Sequence, residues 1–165
     1  MSLKQVQNKI YSRKDVLHQV REWQQAGQKV VFTNGCFDLL HLGHISYLAE
    51  AATLGDKLVL GLNSDSSVKM LGKGANRPLQ DENSRSLILA SLQFIDAVVL
   101  FSEETPFELI HTLKPNVLVK GGDYQIEDIV GHQLVIANGG QVKTIRFVPG
   151  YSTSSLEQRM KDGES

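Results

Sequence analysis

The sequence predicts an α/β fold: a single Rossmann-like, doubly wound domain with a five-stranded parallel sheet and helices on both faces. Three observations predict it. Short β-branched runs alternate with segments of helical period, and the connections between runs are too long for hairpins. Runs such as VVLF and VLVK are also apolar throughout, as strands covered on both sides must be.

The elements follow in order. Ser12 caps a helix running to about Gln25, with Asp15 placed to reach back and Gly27 as its stop. KVVFT, Lys29 to Thr33, is a first buried strand. Leu42, Ile45, Leu48, Ala49 and Ala52 mark a helix to Leu54 that ends at Gly55. KLVLGL, from Lys57, is a second strand, and Ser64 to Leu71 a short helix. A basic, glycine-containing loop, 72–78, separates it from a helix over Asp81 to Phe94. Ala97 to Phe101 is the third strand. Thr105-Pro106-Phe107-Glu108 supplies a cap, a first-turn proline and a third-position glutamate for the next helix. Asn116 to Lys120 is the fourth strand, Ile126 to Asn138 mostly helix, Gln141 to Val148 the fifth strand, and Ser152 to Lys161 a final helix.

A length of 165 residues suits one domain, read here as 1–165, with 1–27 an N-terminal helical extension and 28–161 the core. Seventeen basic residues against 18 acidic give a net charge of −1, so no global field draws the chain to nucleic acid or to a membrane. Any anion site must be local. Cys36 is the single cysteine, which excludes a disulfide framework and a multi-cysteine zinc site. No apolar run reaches signal-peptide or membrane-span proportions, and a cytoplasmic protein is expected.

Chemistry concentrates in loops after the strands: TNGCFDLLHLGH, NSD, KGGDY and PGYSTSS, whereas TLGD and TLKP at the opposite ends are plain turns. Ligands of open parallel sheets bind at that carboxyl edge. A helix start offers unpaired N–H groups and a positive dipole end, and Gly35 lets a ligand approach the backbone. His44 falls in the first helical turn, and His41, three residues earlier, shares its face. The combination is a phosphate cradle. A lone histidine there is a cap or faces solvent in about three cases of four. Metal wants a third protein ligand, and Asp38 is the single nearby candidate, so no metal site is assigned. The Gly-x-Gly-x-x-Gly dinucleotide fingerprint is absent.

At these residues the sequence resembles the HxGH nucleotidyltransferase superfamily, which contains cytidylyltransferase-like enzymes, over roughly Lys29 to Met160. TNGCFDLLHLGH, GLNSD, ANRPL, LVKGGDY, ANGG and PGYSTSS together resemble the branch that transfers AMP from ATP to D-glycero-β-D-manno-heptose 1-phosphate. The resemblance implies a catalytic core over 28–161, ATP and the sugar 1-phosphate as partners, Mg²⁺ as cofactor and a homodimer. It also implies a sugar kinase on a separate chain, since 165 residues leave no room for one.

The resemblance further implies that His41 and His44 stabilise the α-phosphate, helped by Gly43 between them. Asn34, Gly35, Cys36 and Phe37 match the turn against the phosphates. Lys73 matches a lysine sent to the triphosphate, with Lys69 as competitor. Lys120, Gly122 and Asp123 match the nucleoside pocket, and Ser152, Thr153 and Ser154 the hydroxyl motif for the outer phosphates. Asp38, Asn63, Asp65, Arg77 and Arg85 fall to the substrate, although Asp38 is as apt to brace its loop.

Two departures point away from the cytidylyltransferases. Cys36 stands where many relatives have threonine, and Phe147-Val148-Pro149-Gly150 replaces Arg-Thr-Glu-Gly, leaving Arg146 or Arg77 to supply the arginine. A glycerol-3-phosphate cytidylyltransferase, an FAD synthetase-like transferase and a non-catalytic nucleotide-binding module are the rival readings.

Overall fold

Six parallel strands make the sheet, one more than expected. The computed structural model describes residues 1–163. The strands are β1 (Ile10–Tyr11), β2 (Val30–Gly35), β3 (Lys57–Asn63), β4 (Ala97–Phe101), β5 (Val117–Gly121) and β6 (Gln141–Ile145), in the order β1-β4-β3-β2-β5-β6. The extra strand, β1, sets Ile10 opposite Val98 and Tyr11 opposite Val99. Two residues are too few for alternation to register in a sequence.

β1 lies within the segment expected to be a helical extension, and its neighbours there are also part of the fold. Helix α1 (Leu3–Gln7) starts at a capping box of Ser2 and Gln5, and α2 (Arg13–Gln25) is capped by Ser12. Val6, Val16 and Val20 are buried. Residues 1–27 therefore contribute a strand and part of both cores.

The remaining helices are α3 (Leu42–Ala52), α4 (Asp65–Met70), α5 (Glu82–Ala90), α6 (Phe107–Leu113), α7 (His132–Ala137) and α8 (Thr153–Asp162). One core joins α1, α3 and α5 to the sheet through Val6, Leu48, Leu89 and Leu60. The other joins α2, α6 and α7 through Val20, Ile110, Val135 and Phe32. Within β2 the pleat sends Val30 and Phe32 to one core and Val31 to the other, which is why the run is apolar at every step.

Element ends differ from expectation where backbone geometry intervenes. Gly131, at φ 85°, divides the expected 126–138 helix into a 3₁₀ turn (Ile126–Asp128) and α7. Pro106 rather than Thr105 occupies the cap of α6, without a side-chain cap bond. Among the described residues no helix is long and apolar enough to cross a membrane.

Strand order reverses between β2 and β5: β3 and β4 lie to one side, β5 and β6 to the other. A crevice must open at that switch point, beyond Gly35 and Gly121.

Val20→Ala is expected to cost about 2 kcal/mol, a buried-methyl deletion with partial collapse of the cavity. Urea denaturation reads it as a lower midpoint at unchanged slope. A midpoint equal to the parent's would make residues 1–27 an appendage.

Candidate active site

The crevice is a cleft of about 490 Å³, a size suited to a small-molecule ligand. Asn34 and Gly35 line it from β2, Cys36 from the turn that follows, and Lys120 and Gly121 from β5. His44 enters from α3, Lys73 and Arg77 from the basic loop, and Thr153 and Ser154 from α8.

His41 is the N-cap of α3, its ring Nδ1 accepting the His44 backbone N–H at 3.4 Å. The two rings stack, with centroids 3.8 Å apart and planes 22° from parallel. Glycine between them leaves room for this stacking: a Cβ at Gly43 would stand 3.0 Å from the His41 ring, tighter than ordinary contact. The H-x-G-H spacing is thus a cap and a stack in one turn.

Burial foremost, then the neighbouring His41 ring, pushes the His44 pKa down to about 4; the Leu39 backbone opposes this, and Lys73 adds the smallest push downward. Its Nδ1 is buried without a hydrogen-bond partner of good geometry. Burial also lowers His41. Both rings are consequently neutral near pH 7. His44 lines the cleft as a neutral ring, whereas His41, expected beside it at the phosphate, stacks against His44 and caps the helix without lining the cleft.

Two cations line the cleft with His44. Lys73 is exposed at the rim, and Lys120 is half-buried with Nζ 5.5 Å from the Tyr124 ring centroid. Desolvation, and then the Lys73 charge, lowers the Lys120 pKa. Among the described residues neither lysine pairs with a carboxylate. A chain of net charge −1 thereby holds a local anion site.

The residues expected at the substrate divide. Asp38 lines the cleft, but its carboxylate accepts from the backbone N–H groups of Leu79 and Gln80 at 2.8–2.9 Å and from Arg77 Nη1 at 2.8 Å. Burial opposes ionisation of Asp38, and these donors outweigh it, holding its pKa below the usual carboxylate value. Asp38 braces its loop. Arg77 lines the cleft while gripped by Asp38 and by Glu157, whose Oε2 lies 2.6 Å from Nη2. Arg146, the alternative arginine, is 93% exposed and lies 3.9 Å from Asp123.

Arg85, Asn63 and Asp65 face one another behind the cleft wall instead of lining it. Arg85, 1% exposed, donates to the carbonyls of Cys36, Asn63 and Gln80 at 2.8–3.0 Å and to Asp65 Oδ1 at 2.7 Å. The Asn63 amide donates to Ser67 Oγ at 2.9 Å. Ser152 caps α8 by accepting the Ser155 N–H, and Gly122, at φ 113°, carries the exposed Asp123 away from the cleft.

Three aromatic residues were not singled out by sequence reasoning. Tyr124 and Phe147 line the cleft beside Gly121, where a Cβ would stand 2.6 Å from Phe147. Tyr47 lies below, its hydroxyl hydrogen-bonded with Thr33 and donating to the Val119 carbonyl, and burial pushes its pKa up to about 12. Tyr124 and Phe147 both sit in loops after strands, and that position was the signal available.

Among the described residues no group of three or more His, Cys, Asp or Glu is placed to hold a metal ion. With Asp38 committed to its donors, the cleft offers Mg²⁺ no free carboxylate among the described residues. The residues present do not fit a protein-held Mg²⁺.

The free His44 ring titrates at 6.5 and the folded one at about 4, so between these values the unfolded state holds the extra proton. Stability on this account rises with pH across that window. His44→Gln is expected to flatten the rise in denaturation midpoints measured from pH 4 to 6.5. A slope identical to the parent's would show that the ring is not held neutral.

A cytidylyltransferase-like family model matches residues 32–159. The bifunctional protein HldE of Citrifermentans bemidjiense is 56% identical over 147 residues, and that of Pelobacter propionicus 55% over 154. The matches cover 88% and 93% of this chain but only 30% and 31% of those proteins. The crystal structure of the lipopolysaccharide core biosynthesis protein from Thermoplasma volcanium superposes with TM-score 0.60 at 34% identity, covering 74% of this chain and 98% of that one. Pantoate-beta-alanine ligase from Francisella tularensis, 17% identical with TM-score 0.62, shares the fold. The chain belongs to the cytidylyltransferase-like family and is a nucleotidyltransferase.

Proposed function

We propose that the protein transfers AMP from ATP to D-glycero-β-D-manno-heptose 1-phosphate, giving ADP-heptose and pyrophosphate. The observation that carries the transfer chemistry is one cleft that holds His44, stacked on the helix-capping His41, together with two lysines that pair with no carboxylate among the described residues. The sugar is read from the motif resemblance, supported by the likeness to bifunctional HldE proteins and to a lipopolysaccharide core biosynthesis protein.

A sugar 1-phosphate is largely ionised near neutral pH and is already a nucleophile, so the reaction needs no strong general base. The protein's task is to bring two polyanions together and stabilise charge on the α-phosphate and the leaving pyrophosphate. On this reading the start of α3 and both imidazoles meet the α-phosphate. Lys73, with Thr153 and Ser154, holds the outer phosphates, and the nucleoside lies along Gly121 beside Lys120. An approaching phosphate favours the protonated form of His44 and raises its pKa. Mg²⁺ enters as the counter-ion that ATP carries. Attack is in line, with inversion at phosphorus.

A pyrophosphate-release screen crossing ATP, CTP, GTP and UTP with several sugar 1-phosphates and glycerol 3-phosphate tests the assignment. Turnover is expected with ATP and the heptose phosphate. Turnover confined to CTP and glycerol 3-phosphate would refute it. In the productive assay His44→Ala is expected to lower kcat about 10²-fold, as losing an oxyanion-hole donor does. Lys73→Ala should chiefly raise the KM for ATP; an unchanged KM would leave that lysine on a solvated loop.

A further inference from the structure

Helix α8 carries Thr153 and Ser154 to the cleft, yet none of its residues is buried. The Ser155–Ser152 cap bond and the Gln158–Asp162 contacts lie within the helix and its cap. Among the described residues, one polar side-chain tie joins it to the rest of the protein, the 2.6 Å ion pair of Glu157 with Arg77.

That tie is well placed and well anchored. Glu157 lies one turn beyond Thr153 on the same helical face, so the point of attachment sits directly above the residue that reaches the cleft. Both partners are shielded from water, with side chains 14% and 27% exposed. Arg77 is itself fixed by Asp38, which is fixed by the Leu79 and Gln80 amides. An isolated helix of ten residues is marginal in water, so docking decides whether α8 forms and where it points. Arg77 has a carboxylate on each side, which makes it a strut rather than a free cation awaiting phosphate.

We propose that Glu157 is a positioning residue: by clasping Arg77 it docks the first turn of α8 and sets the Thr153 and Ser154 hydroxyls at the cleft. Glu157 touches no substrate and acts through those two hydroxyls. The docking is a property of the protein without ligand, and its consequence for nucleotide rests on the adenylyltransferase reading.

Two measurements on the full chain test it. In hydrogen exchange without ligand, Glu157→Ala is expected to speed exchange of the α8 amides while β2 and β3 keep their protection. Alanine is the best helix former, so the loss reports undocking rather than weaker propensity. In ATP titration the same variant is expected to raise the dissociation constant about tenfold, as losing a hydrogen bond to a charged group does. In a Thr153→Ala, Ser154→Ala background that tenfold effect should vanish, because residues acting through one another are not additive. Unchanged α8 exchange, or a Glu157 effect on ATP that persists without the hydroxyls, overturns the proposal. If the parent binds no ATP while α8 exchange still depends on Glu157, the nucleotide reading falls and the strut is supported.

Discussion

Arg85 places a full positive charge where water reaches almost none of it, and the shape of the cleft depends on how that charge is met. Taking a cation out of water costs several kcal/mol unless hydrogen bonds and a counter-charge offset it. Here the carbonyls of Cys36, Asn63 and Gln80 and the Asp65 carboxylate do so. These acceptors come from the loop after β2, the end of β3, the start of α4 and the approach to α5. One side chain thus locks four segments, and the turn that carries Gly35 to Asp38 cannot shift without leaving a buried charge unpaired. Asp38 adds a second lock on the same turn through Arg77 and two backbone amides.

That rigidity matters because electrostatic stabilisation of a reacting phosphate works best when the donors do not have to reorganise. The α3 start is already capped by His41 and stacked against His44. The charges are arranged with the same economy. Carboxylates near the cleft are consumed by arginines, while Lys73 and Lys120 are left facing it. An anion entering the cleft meets Lys73 at the rim and Lys120 and the neutral His44 ring within.

Much of this was legible in the sequence. Strand and helix order, the switch-point logic and the H-x-G-H crook follow from periodicity, caps and the placement of loaded loops at one sheet edge. β1 was not legible, because two residues carry no period. Nor was the division between ligand-facing and bracing residues. Asp38, Arg77 and Arg85 are charged residues near motifs, and spacing alone does not say which way a side chain turns or what awaits it. Whether Arg85 reaches the cleft or the four segments behind it depends on contacts between positions 49 and 22 residues apart in the chain. Glu157 was invisible for the same reason: its partner lies in another loop, and α8 alone reads as a solvated amphipathic helix.

Cleft, caps and struts together make one claim, that the crook after β2 is built in advance to receive a triphosphate at its α-phosphorus. A crystal structure with an α,β-methylene analogue of ATP is the most direct measurement. The account predicts the α-phosphate at the start of α3 within hydrogen-bond reach of His44, with Arg85 and Asp38 unmoved. An analogue bound with its phosphates away from both imidazole rings, or a turn rebuilt around it with the Arg85 contacts broken, would contradict the account.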